Sequence, residues 1–433
     1  MAFDLASLLR EHQGENFDLH TQYMNPQLVK ILTTLGFDRY YVGAEGSYLI
    51  DDRGDRYLDF LSGFGVFALG RSHPVIKDAL HQAIDADLPN LVQLDCALLP
   101  GLLAQELVDR AHPGIGRVFF ANSGAETVET AIKFARCATK RKRILYCDHA
   151  FHGLTNGALS LNGAKEFTKG FGALLPDCDQ VHFGDIDALA RQLRHDDVAA
   201  FVVEPIQGKG VYMASNGYWE AVQSLCRAHG TLLVIDEVQT GMGRTGRFFC
   251  HEHWGLEPDI ITLSKALSGG YVPVGAVLTT PTVFDAVYSS LDRAVVHSST
   301  FGRNQLAMVA GLATLKVMDD EGIVERAAKN GDRLMELARK GLFSQLVVVP
   351  LFQRHRILTQ VAADNVNIIK LIPPLVIGDE EIDAFVAARD DVLADATRSS
   401  GLLVEVGSSM ARNSLRRGQT RSTAPLSLGS IRS

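Results

Sequence analysis

No run in the 433 residues approaches the ~20 consecutive apolar positions that a membrane-spanning helix needs, so no membrane span is expected. The opening stretch MAFDLASLLREHQGENFDLH lacks the basic start and long apolar centre of a secretory signal, and a cytoplasmic location is expected. Positive charge is not in excess either. With 42 Lys and Arg against 50 Asp and Glu, the formal net charge is −8, which supplies no basic field to neutralise phosphates and argues against nucleic acid as a partner. Six cysteines, Cys96, Cys137, Cys147, Cys178, Cys226 and Cys250, are scattered without a CxxC pair, as reduced core thiols would be. The histidine groups HAFH and HEH lack a second cluster, so no metal site is expected. No internal repeat of fixed period is present. What the chain does have is apolar content, 46% hydrophobic against 21% charged, which suits a well-packed protein of two or more lobes whose partners are small molecules.

Between about residues 115 and 280, short apolar runs alternate with segments of helical period: RVFFA, RILYC, AAFVVE, TLLVID, DIITLS and GAVLT. Brief runs rich in Val, Ile, Leu and Phe read as buried strands of a mostly parallel sheet. The expected fold class is therefore α/β, with a large domain whose mostly parallel sheet is flanked by helices. A smaller α+β lobe is expected from both chain ends, from the hairpin-like GSYLIDDRGDRYLDF and from the helical MDDEGIVERAAKNGDRLMELARK with FSQLVVVPLF behind it. The expected divisions are 1–65 and 316–397 for the smaller lobe and 66–315 for the large domain. Residues 398–433 are expected to form a flexible tail, because apolar periodicity fades from Gly401, Ser and Arg dominate, and no acid follows Glu405.

Ligands of open parallel sheets sit beyond the carboxyl ends of the strands, so the residues that follow the apolar runs belong together. In RVFFANSGAETVETAIKFAR a strand leads through Ser123 and Gly124 into a helix, whose first N–H groups could cup a phosphate; the plainer reading makes Ser123 only a helix cap. RILYCDHAFHG leaves Phe151 and His152, an aromatic face for a planar ligand or merely a core Phe. AAFVVEPIQG leaves Glu204. TLLVIDEVQTG leaves Asp236, Glu237 and Gln239, and PDIITLSKALSGG leaves Lys265, a type of residue that alone is more often a solvated surface lysine. GMGRTG at 241–246 imitates a dinucleotide fingerprint, but five residues separate it from the strand and no helical period follows, so a nicotinamide or flavin site is not expected.

One ligand needs all these groups at once. Pyridoxal 5'-phosphate wants a helix start for its phosphate, an aromatic face for its ring, a lysine for its aldehyde and a carboxylate for its ring nitrogen. Asp236 suits the last role: a carboxylate keeps that nitrogen protonated through a charge-assisted hydrogen bond of about 1.5–3 kcal/mol. Alternation at the strand end sends Glu237 the other way, as a structural residue.

Taken together, FFANSGAETVETAIKFAR, DHAFHG, VVEPIQGKG, VIDEVQTGMGRTG, PDIITLSKALSGG and HSSTFGRNQLA resemble the class III aminotransferases of fold type I pyridoxal-phosphate enzymes, from about Tyr41 to the PPLVI near residue 375. YMNPQLVK and LSGFGVFALGRSHP are most similar to the putrescine aminotransferase branch, with ornithine and acetylornithine aminotransferases as near relatives. The resemblance implies Lys265 as the Schiff-base lysine, Asp236 at the ring nitrogen and Gln239 near the ring hydroxyl. It implies Ser123, Gly124 and Ala125 at the phosphate, Phe151 with His152 at the ring, and Val238 behind it. Thr300 would reach the phosphate of a neighbouring subunit, which makes the protein a homodimer with shared active sites. Phe64, Glu204 and Lys370 are the implied substrate residues.

Departures from the family pattern bear on the substrate. Where ornithine-type relatives carry an Arg that grips a substrate carboxylate, NIIKLIPPL has Lys370, a point charge without the bidentate fork. Glu204 matches the acid that pairs with that Arg. QGKGV places Lys209 and Val211, and TFGRN places Arg303, where the family has other residues. A few dozen residues of the relatives' smaller lobe are missing between RLMEL and ARKGLFSQ, through a trimmed lobe or an abbreviated sequence. The expected reaction moves the terminal primary amine of a diamine, ω-amino acid or longer aliphatic amine to a 2-oxo acid such as 2-oxoglutarate. The alternatives are an ornithine or acetylornithine type of aminotransferase, a same-fold enzyme of another reaction type, and a non-catalytic cofactor-binding protein.

Overall fold

The computed structural model describes residues 3–92, 95–337, 344–363 and 365–398. Seven strands build its larger sheet: β4 (Arg117–Ala121), β5 (Arg143–Cys147), β6 (Cys178–Val181), β7 (Val198–Val203), β8 (Leu232–Asp236), β9 (Ile260–Leu263) and β10 (Gly275–Thr279). β1 (Tyr41–Glu45), β2 (Tyr48–Asp51) and β3 (Arg56–Asp59) precede them. The order across the larger sheet is β4-β10-β9-β8-β7-β5-β6. β10 runs antiparallel to both its neighbours, whereas β5 to β9 pair in parallel. All six apolar runs of the sequence become strands. The seventh, β6, escapes a reading of apolar runs because CDQV lies on the sheet edge, where only Val181 of the four is buried.

Side chains alternate across this sheet with the two-residue period of a strand. Ile144, Ala200, Val202, Val234, Ile260 and Val277 pack on one face against Val128, Ile132 and Phe134 of helix α1 (Gly124–Thr139). Leu145, Phe201, Val203, Leu233 and Ile235 face the other way, toward Trp219 and Val222 of helix α2 (Tyr218–Ala228). Each such aliphatic side chain, taken fully out of water, contributes about 1.5–3 kcal/mol, so the register of β8 is strongly specified. That register decides the chemistry of its end. Asp236 falls on the α1 face with Val234, while Glu237 turns to the other side and accepts from the backbone N–H of His251 (2.8 Å), its ring Nδ1 (3.0 Å) and the Thr240 hydroxyl (2.5 Å).

A smaller sheet joins distant parts of the chain. β2 and β3 form the antiparallel hairpin that the alternation in GSYLIDDRGDRYLDF predicts. Its turn is tied by Asp51 Oδ1, which accepts from the N–H of Arg53 (3.0 Å) and Asp55 (2.9 Å). β11 (Ile357–Leu358) then pairs in parallel with β3, completing the order β1-β2-β3-β11. Leu58 and Phe60 pack against Val347 and Leu351 of helix α3 (Ser344–His355) and against Ile382, Phe385 and Val392 of helix α4 (Asp379–Arg398). A two-stranded ribbon of β12 (Gln360–Ala362) and β13 (Asn365–Lys370) leads from this sheet toward the ends of β7 and β8. The junction expected to be shortened falls at 338–343, outside the described residues; of the expected tail, 398–433, Arg398 is the last residue of α4 and the rest lies outside the described residues. No helix among the described residues is long and apolar enough to cross a membrane.

Candidate active site

A cavity of about 520 Å³ opens beyond the carboxyl ends of the parallel strands and is closed on one side by the β12–β13 ribbon. A larger space of about 810 Å³, between the N-terminal helices and α3, has a mostly apolar lining with no lysine or carboxylate among the described residues.

Asp236 is buried at the end of β8 with both of its carboxylate oxygens hydrogen-bonded to the protein. Its Oδ1 accepts from the Val238 N–H (3.0 Å) and the Thr262 hydroxyl (3.1 Å), and its Oδ2 from Nδ1 of the fully buried His152 (2.7 Å). Burial alone would pull the His152 pKa down, but the hydrogen bond and charge of Asp236 outweigh it and raise the value. Nε2 of the same ring is buried with no partner among the described residues. At the end of β9, Lys265 opens a short 3-10 turn with φ +33°, a left-handed conformation that costs a non-glycine residue about 1–3 kcal/mol and is kept where its surroundings demand it. Burial lowers the Lys265 pKa, with Asp236 and Glu204 opposing. Its amine makes no hydrogen bond or ion pair among the described residues.

α1 starts where β4 ends. The Ser123 hydroxyl accepts from the Glu126 N–H (3.2 Å), and the Glu126 carboxylate turns back to the N–H of Asn122 (2.7 Å). Gly124 and Ala125, at the helical positions whose N–H groups have no intrahelical acceptor, line the cavity. A Cβ on Gly124 would come within 2.9 Å of Val238 Cγ1, so the backbone approaches the cavity only as glycine. Phe151 lines the opposite wall, its ring edge-on to Phe167 at 5.3 Å between centroids.

Glu204, at the end of β7, accepts from the N–H of Gly208 (2.9 Å) and of Phe151 (3.0 Å), and burial raises its pKa with His152 opposing. Lys370 ends β13 and enters the cavity from the ribbon. Its amine donates to the Gly208 carbonyl and to Gln239 Oε1 (3.1 Å), while Gln239 Nε2 donates to the Phe64 carbonyl (3.2 Å). Burial, helped by the charges of Lys265 and Arg244, lowers the Lys370 pKa to about 8, with Glu204 opposing. Two backbone amides, not Lys370, hold Glu204 here. Phe64 stands at the mouth, half exposed, in a left-handed turn (φ +61°) behind Gly63 (φ +63°).

The structure thus gathers Phe64, Gly124, Ala125, Phe151, His152, Glu204, Asp236, Val238, Gln239, Lys265 and Lys370 around one cavity. Ser123 stands one residue behind it as a helix cap, and Thr300 does not line it but lies on an exposed segment. Sequence reasoning gave no role to Gly153, Phe167, Gly208, Lys209, Gln360 or Ala363, which also line the wall. Lys209 carried a signal as a departure from the family pattern, and Gly153 as the glycine that follows Phe151 and His152; it takes φ +120°, and a Cβ there would lie 2.6 Å from that of Ala125. The glycines of GMGRTG form turns, not a helix start, and Arg244 donates to the Pro373 carbonyl (2.6 Å). No group of three or more metal-binding side chains occurs among the described residues.

The sequence pattern of the family described as aminotransferase class-III matches residues 36–341. The chain belongs to that family. It is 34% identical to the aminotransferase PigE of a Serratia species over 86% of this chain and 52% of that protein, so it spans about half the length of that relative. It is 36% identical to the putrescine aminotransferase of Pectobacterium atrosepticum over 86% of this chain and 87% of that one. The ornithine aminotransferase of Toxoplasma gondii, a solved structure with pyridoxal 5'-phosphate at its active site, matches with a TM-score of 0.80 and 27% identity over 90% of this chain and 98% of that one. The fold is that of these fold type I transaminases.

The cofactor of the family fits the residues present. A lysine and a His152 Nε2 with no partner among the described residues, a buried carboxylate on a strand end and a helix start kept clear by Gly124 all converge on one cavity. These are the donor and acceptor types that a phosphate, a ring nitrogen and an aldehyde call for.

Proposed function

We propose that this chain is a pyridoxal-phosphate-dependent transaminase that moves the terminal primary amine of a diamine, ω-amino acid or longer aliphatic amine to a 2-oxo acid such as 2-oxoglutarate. The observation that carries the reading is Lys265, a buried amine with no partner among the described residues, sharing its cavity with the Asp236–His152 pair. When bound, the cofactor supplies an aldehyde that captures amines and a ring that accepts electron density from the carbon losing its proton.

The protein's part is to bind, orient and move a proton. The N–H groups of Gly124 and Ala125, with the Ser123 hydroxyl beside them, would hold the phosphate, and Phe151 and Val238 would lie against the ring. Asp236, kept in place by His152, Thr262 and the Val238 N–H, would hold the ring nitrogen protonated. Lys265 Nζ, whose lowered pKa favours the neutral amine, would take and carry the proton of the amine-bearing carbon, a contribution of about 10²- to 10⁴-fold. The 2-oxo acid then follows the same path in reverse, with double-displacement kinetics.

Donor choice turns on Lys370. A lone ammonium tied to Gly208 and Gln239 grips an α-carboxylate less firmly than a guanidinium fork, which favours donors without one. Relatives named for putrescine and ornithine mark the two sides of that choice. Lys370→Arg is expected to raise kcat/KM for ornithine relative to putrescine by about tenfold, the worth of a second charge-assisted hydrogen bond. Its pH dependence supplies the check. Lys370 loses its proton near 8, so the KM for the 2-oxo acid should rise as pH passes about 8 in the native protein and stay flat in the Arg variant. An unchanged donor ratio and an unchanged pH profile would show that Lys370 does not meet substrate.

The same reading makes the protein a two-fold dimer with Thr300 reaching the partner's phosphate site, and divides the chain at 1–65, 66–315 and 316–397. Support comes from the segment that carries Thr300, where Leu291, Val295 and Phe301 are largely exposed, an apolar surface that a second copy would cover. Sedimentation at micromolar concentration should give twice the mass of the chain. A fully active monomer would contradict the shared site.

A further inference from the structure

The ribbon that closes the active-site cavity has a second side. Gln360 of β12 touches both that cavity and the larger space of about 810 Å³, and the flanking Thr359 and Val361 line the larger space alone. Gln360 is the cross-strand partner of Lys370, so the two side chains leave the same face of the ribbon. The Gln360 amide makes no hydrogen bond among the described residues. A second shared wall lies just after β3, where Leu61 lines the larger space and Phe64 the smaller. Between them Ser62, Gly63 and Phe64 take φ of +44°, +63° and +61°, a sparsely populated backbone that persists because its surroundings determine it. Asp59 Oδ1 accepts from the N–H of Leu61 (3.0 Å) and Ser62 (2.7 Å), and the Ser62 hydroxyl donates to the Ile372 carbonyl (2.5 Å). The two spaces are therefore neighbours, parted by one glutamine and one fixed turn.

The larger space is built to hold something apolar. Leu28, Val29, Leu32 and Leu35 form one stripe of the helix Pro26–Leu35, which has no buried residue of its own, and they turn that stripe to the space. α3 adds Val348 and Val349. The titratable groups of the lining are His20 and Arg39, and the Arg39 guanidinium is answered by the Asp38 carboxylate (3.6 Å) while its Nε donates to the Tyr57 hydroxyl (3.0 Å). Two more lining atoms, Asn16 Oδ1 and Thr359 Oγ1, are buried with no partner among the described residues. Neutral polar atoms set in apolar walls suit an uncharged chain. An ammonium entering there would meet a guanidinium and no carboxylate on the lining, and would lose its hydration without compensation.

We propose that the larger space receives the tail of the amine donor, and that the preferred donor is a primary amine on a long, uncharged aliphatic chain. Its reacting end lies by Lys265, its chain passes between Gln360 and Phe64, and its tail rests on the stripe of Val29 and Leu32. The proposal rests on the transaminase reading above and narrows it, selecting the longer aliphatic amine over the diamine and the ω-amino acid. Affinity then grows with chain length, because each methylene taken out of water is worth roughly three- to fourfold in binding. Charge at the far end forfeits that gain.

The test uses holoenzyme with butylamine, octylamine and 1,7-diaminoheptane as donors to 2-oxoglutarate, and with 1-butanol and 1-octanol as unreactive probes titrated by calorimetry. In the native protein kcat/KM should be on the order of 10²-fold higher for octylamine than for butylamine, four methylenes at roughly threefold each. It should be about tenfold or more higher than for 1,7-diaminoheptane, a chain of the same length that ends in an ammonium. Leu32→Trp fills the space from a helix with no buried residue, and should lower octylamine turnover and 1-octanol affinity by about tenfold while leaving butylamine within about twofold. Val29→Trp gives the same reading should Leu32→Trp not fold. Equal kcat/KM for butylamine and octylamine, or a chain-length preference that survives both variants, overturns the proposal. Survival of that preference together with a lower sedimenting mass would show that a second copy covers the stripe instead. A holoenzyme that binds 1-octanol in this pattern yet accepts amine from no donor would keep the alkyl site and remove the transaminase reading.

Discussion

Lys265→Ala will fold, retain the cofactor by its phosphate and ring, show no lysine-bound absorbance, and lose at least about 10²- to 10⁴-fold in turnover, the range of one positioned general base. Retained folding follows from the sign of the pKa shift. Burial puts the folded value below the ordinary lysine value, so between the two the unfolded chain holds the proton more tightly than the native one, and the buried ammonium costs stability at neutral pH. Removing it relieves that cost. The left-handed backbone remains, at φ +33°, so Lys265→Gly should be somewhat more stable than Lys265→Ala. Thermal denaturation, the visible spectrum and steady-state turnover together check the prediction. Near-native turnover in the Ala variant would remove Lys265 from the chemistry.

Asp236→Asn carries the second large effect. The Asn carbonyl can keep the Val238 N–H and the Thr262 hydroxyl, but its amide then meets His152 as a donor where the native carboxylate accepts. His152 loses the partner that raises its pKa, and burial then pulls the value below normal. An amide also cannot hold a ring nitrogen protonated. Turnover should fall on the order of 10²- to 10³-fold, as when one preorganised charged group is removed from a site, while cofactor is still bound. Stability gives an independent reading. A raised His152 pKa contributes stability that is fully present below the ordinary histidine value and is lost as pH rises through the folded value; Asp236→Asn should abolish that gain at low pH. Unfolding curves from pH 5 to 8 and the ring-proton titration of His152 check both parts. Near-normal turnover in the Asn variant would mean that the ring nitrogen is not held by this carboxylate.

What could be read in the chain follows from how local each signal is. Val234, Ile235 and Asp236 sit on one strand, so the two-residue period alone places the acid on the α1 face and Glu237 opposite. Gly124 and Ser123 mark a helix start within four residues of a strand, and Lys265 follows an apolar run directly; each is a short-range pattern with a single geometric outcome. The wall that faces them is different. Lys209, Phe167 and the pair Gln360 and Ala363 come from three separate stretches, and their meeting depends on the ribbon of β12 and β13 folding back over β7, which no periodicity encodes. VVV at 347–349 has the β-branched make-up of a strand, yet it lies in helix α3, where burial against Leu58, Ile382 and Phe385 outweighs local propensity. Lys370 stood out as a departure from the family's arginine. That its amine rests on Gly208 and Gln239, with Glu204 satisfied by backbone amides instead, required the fold.

The central claim is that one lysine, one carboxylate and a helix start together make a transaminase that takes terminal amines. The direct measurement is a two-step spectrum: holoenzyme mixed with putrescine and no acceptor, followed by 2-oxoglutarate. The account predicts that the amine bleaches the lysine-bound absorbance and leaves the aminated cofactor, and that 2-oxoglutarate restores the first spectrum with about one glutamate formed per site. A spectrum indifferent to putrescine and to a panel of other terminal amines, or one that changes without any glutamate appearing on addition of the 2-oxo acid, would contradict it.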